Sequence, residues 1–242
     1  MREIFYLDNS GFLIFHDDIV MIFDYYNIKP EFGIKDINNG VITQDILKNK
    51  KAVYIFSSHK HFDHFNKQIF SFENYHSNVT YILDRGIKAD QANKNINFLK
   101  EGQIFKDSRL TVAAFGSTDI GISFLVKIGD DTIFHAGDLN FWHWKEESDY
   151  EYVNSEKKKF LDIVALVEKE TKAIDLMFFP VDYRMGKDGD LGAIMMLERF
   201  KPKLFIPMHF QNNFNKIKQF KNENGAYMIW DIKKRGDRII LL

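Results

Sequence analysis

Ala52-Val53-Tyr54-Ile55-Phe56-Ser57-Ser58-His59-Lys60-His61-Phe62-Asp63-His64 is the stretch that decides how this chain reads. Its first half is a continuous apolar run, the pattern of a strand buried on both faces. Its second half places four metal-capable side chains, His59, His61, Asp63 and His64, within six residues. Taken as an extended H-x-H-x-D-H segment, alternation sends His59, His61 and Asp63 to one side and leaves His64 for a second ion. Chance histidine clusters and tags lack the interleaved aspartate and the buried strand in front. The pattern predicts a metal site at the end of a rigid core strand, where preorganised sites are built.

Other aspartates and histidines follow the same rule, standing just after the C-terminal end of an apolar run. Asp24 follows 20–23, Asp119 follows 110–115, and Asp138 follows 132–134 by way of Ala136-Gly137. Asp182 follows 176–179 through Pro180-Val181, and His209 follows 204–206 through Pro207-Met208. Ligands far apart in sequence must converge in space, and repetition at strand ends is what a shared site needs.

Around these runs, strands are expected over 4–7, 12–15, 19–23, 52–56, 79–83, 110–115, 122–128, 132–135, 174–179 and 204–206. Helices are expected over 43–48, 66–72, 155–169 and 191–200, the last stopped by Pro202. The clearest is 155–169, where Phe160, Ile163, Val164 and Val167 recur at helical spacing. Segments 227–230 and 238–242 read as a closing hairpin, and 85–97 carries no firm signal. Each half is strand-rich with helices interspersed, and the two halves echo one another.

With 242 residues, four prolines and no Ser/Gly tract, the chain reads as one domain over 1–242. The absence of cysteine excludes disulfides and thiolate ligands, so any metal must be held by nitrogen and oxygen. A formal net charge of −1 gives no whole-molecule attraction for nucleic acid or anionic membrane. Lys157-Lys158-Lys159 reads as a solvated helix face and Lys233-Lys234-Arg235 as a surface turn. The N-terminus has no signal-peptide core and no apolar stretch is long enough to span a bilayer, so a cytoplasmic location is expected. The 24 phenylalanines fall mostly inside apolar runs and read as core.

The H-x-H-x-D-H cluster, Gly137-Asp138 after a strand, the isolated His209 and the early Asp24 together resemble the metallo-β-lactamase superfamily in order and approximate spacing. The resemblance covers nearly the whole chain. It implies an α+β fold, a four-layer αβ/βα sandwich with two metal ions at one edge. It also implies that His59 and His61 bind one ion, that Asp63, His64 and His209 bind the other, and that Asp138 bridges. Asp24 would hold a ligand histidine in its binding tautomer, and Asp63 would also orient the attacking water. One or two divalent ions per chain are expected, zinc first, with manganese or iron as alternatives.

The chain departs from this pattern at one point. The family expects a further histidine in a Gly-His-Thr-like turn, and here the turn reads Gly116-Ser117-Thr118-Asp119-Ile120-Gly121. The first ion then keeps only His59, His61 and the shared Asp138, unless Asp119 or a hydroxyl substitutes. One firm site and one weak site are therefore expected.

Beyond the ligands, Asp182 is a candidate catalytic residue, weighed against a turn-forming aspartate. Trp142, His143 and Arg184 are candidates for the substrate pocket. A surface role for Arg184, a packing role for His143 and a core role for the aromatic run 141–144 stand beside that reading. His135 reads as structural, and His16 and His76 as exposed bystanders in polar turns. The leading function is a metal-dependent hydrolase acting on a small-molecule ester, lactone or phosphodiester. A non-catalytic metal-binding or sensing protein is the alternative, and a nucleic-acid phosphodiesterase is a weaker one.

Overall fold

The computed structural model describes residues 2–89 and 95–241, and residues 90–94 of the unassigned segment 85–97 lie outside it. The chain divides into two compact units, 1–99 with 232–242 and 100–231.

The first unit opens with β1 (Arg2–Asp8), β2 (Gly11–His16) and β3 (Ile19–Phe23). The short helix α1 (Gln44–Leu47) leads into β4 (Ala52–Ser57), every residue of which is buried. The helix expected over 66–72 is a 3₁₀ stretch over Lys67–Asn74, capped by the Asn66 side chain, and β5 (Val79–Asp84) and β6 (Ile96–Leu99) follow.

The second unit contains β7 (Ile104–Lys106), β8 (Leu110–Phe115), β9 (Ser123–Ile128) and β10 (Asp131–His135). Then come α2 (Tyr150–Glu170), β11 (Leu176–Pro180), α3 (Leu191–Phe200), β12 (Leu204–Met208) and α4 (Phe214–Glu223). The final strand, β13 (Arg238–Leu241), belongs to the first unit.

Each unit is built on one mixed sheet. The first has the order β13-β1-β2-β3-β4-β5-β6 and the second β12-β11-β10-β9-β8-β7. In the first, β13, β1, β2 and β3 are antiparallel neighbours, whereas β3 to β6 run parallel. In the second, β7 to β10 are antiparallel and β10 to β12 parallel. The echo read in the sequence is thus an antiparallel meander followed by parallel strands. Parallel pairs need crossovers, and their C-terminal ends are where ligand-bearing loops collect.

In the first unit Leu13, Ile22, Ile55, Tyr81 and Leu83 share a buried cluster with Leu47, Ile69 and Phe72 from the flanking turns of helix. In the second, a run of phenylalanines crosses the unit: Phe160 of α2 meets Phe179 of β11, which meets Phe205 of β12, which meets Phe220 of α4, at 5.8–6.4 Å between ring centroids. Most phenylalanines are core as expected; Phe32, Phe62 and Phe98 are exposed. No helix among the described residues is long and apolar enough to cross a membrane.

Several expectations change. Segments 227–230 and 238–242 do not form a hairpin: Ile229 makes a single parallel bridge to Phe205 of β12, and β13 pairs with β1. The separation of partners is tertiary, and local pattern carries no trace of it. Helix α4 was not anticipated because only Ile217 and Phe220 are buried on it; its signals are the Asn213 cap and the Phe214, Ile217, Phe220 spacing. Helix α2 begins five residues before the expected start, at Tyr150, because the Asp149 side chain caps it ahead of its apolar stripe.

Arg235 is not a surface turn residue. It is buried, and it donates to the backbone carbonyls of Leu7 (2.5 Å), Asn27 (2.5 Å), Lys29 (2.6 Å) and Gly40 (3.1 Å). One guanidinium thereby ties the 25–40 loop to the sheet, its fixed fork meeting the carbonyls of buried Leu7 and Gly40 as well as those of the more open Asn27 and Lys29. Arg235→Ala is expected to destabilise the protein by about 3 kcal/mol, read from the midpoint of urea unfolding. A shift under about 0.5 kcal/mol, the scale of an ordinary surface substitution, would refute the clamp.

Candidate metal centre

In the first unit the strand run ends at Ser57, and the ligand cluster is not extended. The carbonyl of His61 accepts from the N–H of both His64 (3.1 Å) and Phe65 (3.0 Å), so 61–65 is a tight turn. Beyond β4 the backbone has no ladder partner and satisfies itself locally. The expected alternation of His59, His61 and Asp63 on one side therefore fails, and the turn folds the ligands back toward one another. His59 Nε2 comes to 3.0 Å from His61 Nδ1, and His64 Nε2 lies 3.9 Å from Asp63 Oδ2. His59 and His64 are fully buried, and their rings lie 4.1 Å apart.

Asp24 organises this group. Its carboxylate accepts from Ser58 N (2.7 Å), Ser58 Oγ (2.7 Å) and His64 Nδ1 (2.8 Å), all without solvent exposure. A carboxylate only accepts, so His64 carries its proton on Nδ1 and offers Nε2 as the donor atom for an ion. Ser58 Oγ, having donated to Asp24, can accept from His59 Nδ1 at 3.0 Å, which sets the same tautomer there. Asp24 itself sits at φ 43°, left-handed backbone that a non-glycine residue holds only when its surroundings insist.

Asp63 is held from the β1–β2 turn. Asn9 Nδ2 donates to Asp63 Oδ2 at 3.2 Å, and Asn9 is itself at φ 47°. Asn9 and Ser58 are site residues that the sequence reading did not select. Ser58 stands beside the cluster, whereas nothing local marks Asn9.

The second unit repeats the device. His209, at φ 61° after β12, gives its Nδ1 proton to Asp182 at 2.9 Å and faces Asp138 with Nε2 at 3.5 Å. Asp182 is buried and also accepts Arg184 through Nε and Nη2. Burial pushes its carboxyl up, but the hydrogen bonds from His209 and Arg184 outweigh that and hold it below the ordinary carboxylate range. Asp182 is therefore a positioning group for His209, with its oxygens already engaged, and not a free base.

Asp138 follows Gly137, whose φ of 55° turns the chain out of β10. Its loop is pinned by Asn140, whose N–H donates to Thr118 Oγ1 (3.0 Å) and whose carbonyl accepts from it (2.5 Å). Gly192 of α3 lets Asn140 in: a Cβ there would stand 2.1 Å from Asn140 Oδ1. Thr118, with its hydroxyl spent on Asn140, is a poor substitute ligand. Asp119 is exposed and offers an oxygen within 4.8 Å of Asp138, so it is the better replacement for the missing histidine. Trp142 packs edge-on against His209 at 5.7 Å and donates Nε1–H to the Asp138 carbonyl at 2.9 Å.

A cleft of about 550 Å³ in this unit is lined by Asp119, Asp138, Trp142, Trp144, Arg184 and His209, with α2 contributing Tyr152, Glu156 and Lys159. His143 does not line it. It is buried, and its Nε2–H donates to the Asp188 carbonyl at 2.9 Å. His135 is buried in its strand as expected, whereas His76 is half-buried and bonded to the Lys50 carbonyl rather than exposed.

The donor set fits divalent ions. Each unit carries a carboxylate–imidazole pair that aims Nε2 at further oxygen or nitrogen donors. The 3.0 Å between His59 Nε2 and His61 Nδ1 also suits shared coordination. Two nitrogens each about 2.1 Å from one tetrahedral ion would be about 3.4 Å apart, so the pair needs to open by only a few tenths of an ångström to share one.

The two mixed sheets, with their strand orders and flanking helices, have the metallo-β-lactamase fold. Among solved structures, Igni18, a metallo hydrolase from the hyperthermophilic archaeon Ignicoccus hospitalis, matches with a TM-score of 0.68 at 16% identity, over 98% of this chain and 97% of its own. The metallo-β-lactamase fold protein YhfI from Bacillus subtilis matches with a TM-score of 0.62 at 12% identity, over 98% of both chains. CmlA, a diiron β-hydroxylase from Streptomyces venezuelae, matches with a TM-score of 0.61 at 9% identity, over 99% of this chain and 54% of its own. No protein-family model matches the sequence, and no curated protein matches it significantly.

Proposed function

We propose that this chain is a metal-dependent hydrolase cleaving a small-molecule ester, lactone or phosphodiester. The observation that carries the reading is the pair of buried relays, Asp24–His64 and Asp182–His209, each leaving an imidazole Nε2 presented for an ion. Structural or sensing sites have little need of a partly exposed carboxylate such as Asp63, whose side chain is 23% exposed and is held by Asn9.

Divalent ions in such a donor set acidify a water and polarise the scissile carbonyl or phosphoryl group. The ligand set is the one the resemblance implies: His59, His61, Asp63, His64, Asp138 and His209. Asp63 orients the attacking water and receives its proton; Asp24 and Asp182 keep their histidines in the binding tautomer. Zinc is the first candidate, and an all-nitrogen-and-oxygen set also admits manganese or iron. CmlA, named for two irons on this fold, is in keeping with that latitude.

The test is elemental analysis of protein purified without added metal, beside hydrolysis assays on aryl esters, lactones and bis(4-nitrophenyl) phosphate with zinc, manganese or iron. One firmly held ion and a second, exchangeable one are expected, with Asp119→Ala lowering the second further. Two full equivalents in both proteins would overturn the unequal pair. Absence of turnover with every metal would leave the non-catalytic reading standing.

A further inference from the structure

We propose that the cleft of the second unit selects substrates carrying a flat, unsaturated ring system, and that Trp144 is the residue that reads it. The inference rests on the hydrolase reading for the reacting group, and on separate observations for the ring.

Trp144 sits at φ 40°, the left-handed region that bulky side chains rarely enter. Such strain persists only where neighbours over-determine it, and it clusters at binding sites. Here the neighbours are identifiable. His143, just before Trp144, donates Nε2–H to the Asp188 carbonyl (2.9 Å) and accepts the Lys145 N–H on Nδ1 (3.2 Å). Lys145, just after it, pairs with the Asp188 carboxylate at 2.6 Å. The Trp144 carbonyl is taken by Glu147 N at 2.9 Å. The segment is thus clamped on both sides of the strained residue, and His143 acts through that clamp.

The clamp presents an indole to the cleft. Trp142 is only 8% exposed and is committed to His209 and Asp138, whereas Trp144 remains partly open. The two indole planes lie within 16° of parallel, with centroids 6.5 Å apart, so buried Trp142 backs Trp144 and leaves the more open indole to meet a flat ligand. Asp138 and His209 belong to the same cleft, which places the reacting group of a substrate beside its ring. Opposite chemistry is available on α2, where buried Glu156 holds the Lys159 ammonium at 2.6 Å. A volume of about 550 Å³ admits a bicyclic body together with its scissile group. Stacking rewards planarity, and a saturated ring of equal size gains burial without it.

The experiment compares 2-naphthoate with trans-decahydro-2-naphthoate, equal in charge and carbon count, by calorimetry on metal-loaded and metal-free protein. Wild type is expected to bind the planar probe about five- to tenfold tighter, the scale of aromatic stacking. Trp144→Gly takes the left-handed backbone without strain, which offsets part of the indole's lost packing, so the thermal midpoint should hold within a few degrees while the preference falls to under twofold. Trp144→Phe should retain most of it. A wild type without preference, or a preference that survives Trp144→Gly, overturns the inference. Because the readout is binding, a missing hydrolytic activity with the planar preference intact would sink only the hydrolase reading.

Discussion

Asp24→Ala is expected to damage stability and metal affinity together. The substitution leaves Ser58 N–H, Ser58 O–H and His64 Nδ1–H facing a cavity with no acceptor, in a region without solvent. Stranding donors of this kind costs about 1–3 kcal/mol each and is less than additive, so a loss of about 3–5 kcal/mol is expected in urea unfolding of the metal-free protein. Zinc affinity, measured by competition with a chelating dye, should fall about 10- to 100-fold, because His64 loses the partner that fixes its tautomer and ring orientation. Asp24→Asn retains the shape and should cost less stability, yet it still weakens the ion, since an amide cannot accept on both sides. An unmoved unfolding midpoint together with unchanged zinc affinity would show that Asp24 is not the organiser of this half-site.

The second large effect is expected at Asp63. Asp63→Asn preserves volume and can still meet Asn9, so the fold and the thermal midpoint should hold within a degree or two. Turnover on whichever ester, lactone or phosphodiester proves active should fall about 10²- to 10⁴-fold, the range for removing a group that accepts the proton of an attacking water. KM should move far less than kcat, because the group acts on the reacting water and not on the remainder of the substrate. A variant within threefold of wild-type kcat, with metal content matched, would remove Asp63 from the reaction.

Much of this arrangement is legible in the sequence. The 52–56 run announced a strand buried on both faces, because five apolar residues without alternation have no solvent side to offer. The rule that site residues follow C-terminal strand ends selected Asp24, Asp138, Asp182 and His209, and each stands after a parallel strand. Roles were less legible than positions. Asp182 reads in sequence as either a site carboxylate or a turn-forming aspartate, and only its contacts with Arg184 and His209 make it a holder of the imidazole. His143, inside the aromatic run, reads in sequence both as a packed, hydrogen-bonded histidine and as a pocket candidate, and its contacts make it the former, a clamp on the backbone on which Trp144 stands. Arg235 closes a lysine-rich stretch that any charge count assigns to the surface; its four carbonyl partners come from the opposite end of the chain.

Residue type and period by themselves determined that this chain builds two strand-rich halves and gathers nitrogen and oxygen donors near His59–His64, because burial and donor chemistry are written locally. Tertiary structure alone decided that β13 pairs with β1 and not with 227–230, and that Asn9, Ser58 and Asp182 hold the candidate ligands. The physical reason is the same throughout. A hydrogen-bond partner is chosen by distance in space, and residues such as Asn9 and Asp63 are 54 positions apart along the chain.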